Sequence, residues 1–219
     1  MKKTNLLILI AVIICCFSAC KTKNTDASND ASVSDNSTEA SSNNDELKAF
    51  MLAGIYTING YGGLSTVEDN IKQNAGDDKD EMVKDYEQML KFPFEVGQEG
   101  VKETLSQMWD INSKDDLLKR LAKLQNDPSS KHKAWDFARL VNNVHMGFAA
   151  GYITKDEGKK WITETLPLAQ KSFKNWSEYH KDFTEGRKAW NPESEDAAEF
   201  EALANTISES SIYKTIPLN

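Results

Sequence analysis

The sequence predicts an all-α fold, a single compact domain of about eight helices behind an export signal and a disordered tether. Three observations lead there. Apolar residues recur at helical spacing from Leu47 to Ile207, and positions three and four apart line one face of a helix. No stretch shows the sustained alternation with β-branched residues that a half-buried strand needs. Helix-start signals, Ser113 with Asp116 and Thr154 with Glu157, stand just ahead of two apolar runs.

The chain starts with Lys2 and Lys3, an apolar run from Leu6 to Phe17, and Ser18-Ala19-Cys20. The run is shorter than the roughly 20 apolar residues of a spanning helix and suits a cleaved signal. Small residues directly before a cysteine read as a lipoprotein signal over residues 1–19, cut before Cys20 and acylated on it. Phe17 departs from the aliphatic residue usual three positions before that cysteine. Several acyl chains, palmitate among them, anchor durably where one would not. Cys15, Cys16 and Cys20 are the chain's three cysteines, so a disulfide framework or thiolate metal site in the exported part is excluded. The expected location is a cell membrane or outer membrane, on the exported side.

Residues 20–44 read as a lipidated, disordered tether, with Val33 the one aliphatic residue larger than alanine between Lys21 and Asn44. Such a segment buries too little to offset its ordering entropy, and as a flexible coil it spans about 25–30 Å. Residues 45–219 are enough for one domain with a sizeable core. The net charge is -8, and loss of Lys2 and Lys3 makes the mature chain more negative still. That balance argues against a nucleic-acid partner.

Within the domain, Leu47, Phe50, Met51, Ile55 and Ile58 make the first stripe, broken by Gly60, Gly62 and Gly63. Residues 74–80 read as a polar loop. Met82, Tyr86, Met89 and Leu90 form the next stripe, then Val101, Leu105, Met108 and Trp109. Ser113 opens a helix carrying Leu117, Leu121 and Leu124, which stops before Asp127-Pro128. The longest helix runs from about Ser130 to Gly151 and buries Trp135, Ala138, Val141, Val144 and Phe148. Thr154 opens another, which Pro167 is expected to kink or interrupt. Ser177 opens one carrying Tyr179, Phe183 and Trp190, and Phe200, Leu203, Ala204 and Ile207 make the last stripe.

Catalytic signatures are scarce: there is no phosphate loop, nucleophile elbow or histidine pair at metal spacing. No metal and no cofactor is expected. Asp136, Arg139, Asn143, Gly147 and Gly151 fall at three- and four-residue spacing along one face of the long helix, with His145 near its apolar face. That polar face lines a cleft in one reading. In the other, Asp136 is a paired structural carboxylate, with Arg139 or Arg187 as partner, and the glycines mark a close helix crossing.

The residues also fall in a familiar order: Trp109-Asp110-Ile111, Ala134-Trp135-Asp136 with Arg139, Gly147, Gly151-Tyr152, Phe173 with Trp176, and Gly186-Arg187 with Trp190. This resembles the bacterial domain-of-unknown-function family numbered 1266, over about Trp109 to Trp190, with the tail from Ile212 to Pro217 in keeping. The resemblance implies a helical domain and brings no activity or catalytic residue with it. His145 stands where the pattern has arginine, which removes one member of any anion site built from the family's arginines.

Two functions are expected as alternatives. One is a non-enzymatic module that binds a protein or peptide partner in the envelope, held at the membrane by lipid on Cys20. The other is a hydrolase using Asp136, His145 and Arg187 in a polar cleft.

Overall fold

The computed structural model describes residues 36–219 apart from Pro128 and Glu195. Eleven helices succeed one another, and no strand occurs among the described residues. They are α1 (Asn36–Met51), α2 (Gly54–Gly60), α3 (Leu64–Ala75), α4 (Lys79–Leu90), α5 (Val101–Trp109) and α6 (Lys114–Asn126). Then come α7 (Lys133–Ala149), α8 (Lys155–Ser172), α9 (Trp176–Trp190), α10 (Ala197–Ile207) and α11 (Ser211–Thr215). The signal, Cys20 and the tether up to residue 35 lie outside the described residues.

The expected all-α class is what the structure has, with more and shorter helices. The first helix starts at Asn36, inside the stretch read as tether. Its far end is anchored by the buried Leu47, Ala49, Phe50 and Met51, and extending a helix from an anchored turn is far easier than starting one. The stripe from Leu47 to Ile58 is two helices, because the chain turns at Leu52 and Ala53. That turn is buried, so its carbonyls need partners. Tyr213 donates its hydroxyl to the Met51 carbonyl and Tyr179 donates to that of Leu52, each at 2.8 Å. Gly54 makes room: a Cβ there would lie 2.2 Å from the Tyr213 hydroxyl.

The expected loop at residues 74–80 shrinks to 76–78, and α3 precedes it. Only Val67 and Ile71 of α3 are buried, too few for a visible stripe. Helix α8 runs unbroken through Pro167, held on both sides by the buried Ile162, Leu166 and Ala169. Its start has the expected capping box between Thr154 and Glu157. Helix α9 is capped by Asn175, not Ser177, through the Glu178 N–H at 2.9 Å.

Helix α7 is the axis of the domain. It packs against α2, α5, α6, α8 and α9, and 13 of its 17 residues are buried. Neighbours approach this closely where a side chain is missing at the crossing. A Cβ on Gly158 of α8 would sit 2.9 Å from Val144. One on Gly147 of α7 would meet the Leu117 methyl of α6 at 2.3 Å, and one on Gly186 of α9 would meet the Trp135 Cβ at 2.5 Å. At its far end α7 closes in a left-handed turn at Gly151 (φ 74°). The Gly151 N–H bonds the Phe148 carbonyl and the Tyr152 N–H bonds that of Gly147, both at 2.9 Å, a Schellman arrangement.

These crossings differ in what can yield. Alanine at Gly186 meets a Cβ fixed to the α7 backbone, whereas alanine at Gly147 meets the mobile end of a leucine. Gly186→Ala is expected to cost about 2–3 kcal/mol by overpacking. Gly147→Ala should cost less, since the Leu117 methyl can shift, while the helix preference of alanine, about 1 kcal/mol, is common to both variants. Denaturant unfolding of both variants checks the order.

Candidate functional site

The polar series of α7 divides on folding. Asp136 is buried and pairs with Arg139 one turn on, so the ion pair lies within one helix. Arg187 takes a different partner, Asp196, just ahead of α10. This settles which arginine pairs with Asp136, a choice the spacing left open. Asn143 is wholly buried, and neither side-chain polar atom has a hydrogen bond among the described residues. Gly147 lies at the crossing with α6, while Gly151 ends the helix, and a Cβ there would meet nothing within 4 Å.

His145 lies deepest. It is 1% exposed, stacked parallel on the Phe50 ring at 5.7 Å, with Phe92 at the same distance. Neither ring nitrogen has a partner among the described residues. Burial holds its pKa down at about 3, because an apolar surround disfavours the charged form. Asp136 is nine residues away, about 13 Å along the helix axis. Asp136, His145 and Arg187 therefore do not converge on one reacting centre. Two surface depressions contain none of them; one, between α5 and α6, is lined by Asp110, Asp116, Lys119, Arg120 and Lys123, and the other flanks α3 and α4.

What the structure does assemble is a line of alternating aromatic and cationic groups. The Arg139 guanidinium lies 4.7 Å from the Trp135 ring centre and 5.9 Å from that of Trp109. The Trp135 and Trp190 rings are 6.2 Å apart. On the inner side, Arg187 lies 4.3 Å from the Phe200 ring and 6.0 Å from Trp135. Trp190 and Met108, both members of apolar stripes in the sequence, are 61% and 54% exposed. Both keep the period of the buried face but fall in the last turn of their helices, α9 and α5. The spacing of Trp109, Trp135, Arg139 and Trp190 was visible in the sequence; their proximity depends on how α5, α7 and α9 cross.

The fold also groups His132, Asp182 and Glu185, which no sequence spacing suggested. The Asp182 carboxylate accepts the Ala134 N–H at 2.8 Å and so caps α7 from another helix.

Asp136 and His145, two of the buried polar residues of α7, can be tested separately. Removing one partner of a buried pair is strongly destabilising. Asp136→Ala should lower unfolding stability by about 3 kcal/mol. Asp196→Ala removes a half-exposed carboxylate but strands the buried Arg187 guanidinium, so it should cost at least as much; paired denaturation curves test this. His145 binds its proton at about 3 when folded and near 6.5 when unfolded. Its contribution is intact above pH 6.5 and is lost as pH falls towards 3. Relative to wild type, His145→Phe should therefore gain about 2 kcal/mol on going from pH 8 to pH 5, read as the difference between unfolding curves at the two pH values.

No curated protein and no solved structure matches the chain. The family described as "Protein of unknown function (DUF1266)" matches residues 61–218. That span is most of the chain. It extends the resemblance read from Trp109 to Trp190 back to the start of α3, and it takes in every group of the aromatic–cationic line. The chain belongs to the DUF1266 family.

Proposed function

We propose that this chain is an exported lipoprotein, acylated on Cys20, whose helical domain binds a protein or peptide partner through the face of Trp109, Arg139, Trp135 and Trp190. The observation that carries the binding reading is the exposed Trp190 indole at the end of that line. Tryptophan and arginine dominate the residues that supply binding energy at protein interfaces. Indole gives a large contact area for few lost rotamers. Here Arg139 is already oriented, by its pair with Asp136 and by a 3.2 Å bond to the Trp135 carbonyl, so little ordering remains when a partner docks. Met108, exposed next to Trp109, adds an adaptable apolar surface.

The membrane part of the proposal is supported by Lys2, Lys3, the Leu6–Phe17 run and Ser18-Ala19-Cys20. Among the described residues no helix is long and apolar enough to cross a membrane; in this reading attachment rests on the lipid at Cys20. The hydrolase alternative has no comparable support, because His145 is enclosed between Phe50 and Phe92.

The tests separate the two parts. Cys20→Ser should abolish incorporation of labelled fatty acid, and labelling that persists would overturn the anchor. Trp190→Ser should reduce partner cross-linked to the membrane-held chain by at least tenfold, about 1.4 kcal/mol, with an unchanged unfolding midpoint. Undiminished cross-linking in that variant would overturn the binding face.

A further inference from the structure

The start of α7 and the middle of α9 meet around three metal-ligating side chains. His132 immediately precedes α7. Asp182 and Glu185 lie on α9 three residues apart, hence on the same face. One donor atom from each of the three residues lies within 4.8 Å of the others, and His132 Nδ1 is 3.1 Å from the Asp182 carboxylate.

We propose that His132, Asp182 and Glu185 form a binding site for a divalent transition-metal ion, Zn2+ by its chemistry. An imidazole with two carboxylates suits a borderline ion, whereas Ca2+ and Mg2+ take oxygen ligands. Two carboxylates against a neutral imidazole match the ion's double charge. Three protein ligands leave one tetrahedral position for water or a ligand. Solvent reaches the cluster: Glu185 is exposed, and the His132 and Asp182 side chains keep 28% and 19% of their surface.

Two independent features hold the donors in place. The second Asp182 oxygen accepts the Ala134 N–H at 2.8 Å, the kind of outer hydrogen bond that orients a ligating carboxylate. Gly186 lets α9 close on His132, since a Cβ at residue 186 would lie 2.7 Å from the His132 Cβ. Lys133, the nearest cation along α7, bonds the Asp127 carbonyl instead. A simple helix cap accounts for Asp182 and its contact with His132. It gives no role to Glu185, which is where the two explanations part.

The test uses the full chain in detergent, stripped with chelator and titrated calorimetrically with Zn2+. One equivalent should bind, and Glu185→Gln and His132→Ala should each weaken binding at least tenfold. Co2+ in place of Zn2+ should give the intense visible absorption of a tetrahedral site, lost in both variants. Glu185→Gln leaves the Asp182–Ala134 cap intact, so it stays informative if His132→Ala unfolds. Absence of binding at millimolar Zn2+ overturns the site. Unchanged affinity in Glu185→Gln overturns it too, assigning the ion to other carboxylates of this acidic chain.

Discussion

The domain depends on the close approach of its neighbours to α7. A helix buried on nearly every side needs partners whose backbones come near, and the crossings at Gly147, Gly158 and Gly186 supply that proximity. Trp135 carries its effect outward. Its Cβ lies against Gly186, while its ring meets Phe183 at 5.2 Å and Tyr56 at 6.5 Å before reaching Arg139 and Trp190. One residue thus links the crossing of α7 and α9 to the aromatic–cationic surface. Interiors this dense transmit small displacements, so the surface is only as well defined as the crossing beneath it.

Burial of α7 also governs its polar residues. Asp136 lies near one end of the helix, where Arg139 can reach both the carboxylate and solvent. Asn143 and His145 lie midway, where the surround is apolar rings and aliphatic chains. A neutral imidazole stacked on Phe50 is tolerated there, and a charged one is not. Position 145 is therefore one where a permanent cation would have no counter-ion at hand among the buried polar residues.

Local signals in the sequence were readable wherever they acted within a turn or two. Ser113 with Asp116 and Thr154 with Glu157 behave as the chain suggests, whereas the spacing left the partner of Asp136 open. Features set by distant partners were not. The break between α1 and α2 is stabilised by hydroxyls from Tyr179 and Tyr213, more than a hundred residues away. Trp190 and Met108 keep the period of the buried face but fall in the last turn of their helices, where a periodic pattern cannot say whether a neighbour still covers them. The cluster joins His132 to Glu185, 53 positions apart in sequence, and only the packing of two helices closes it.

The ties between the two ends of the chain have a mechanical consequence. Tyr213 and Tyr179 grip the turn after α1, Trp176 donates to the Ile216 carbonyl at 2.8 Å, and Gln170 donates to that of Leu218 at 2.8 Å. A pull entering through α1 is thus passed to the C-terminal tail and to α8 and α9 together. It loads several short hydrogen bonds side by side and does not peel one helix away at a time. A domain pulled by its N-terminal end would resist such a tug as a unit.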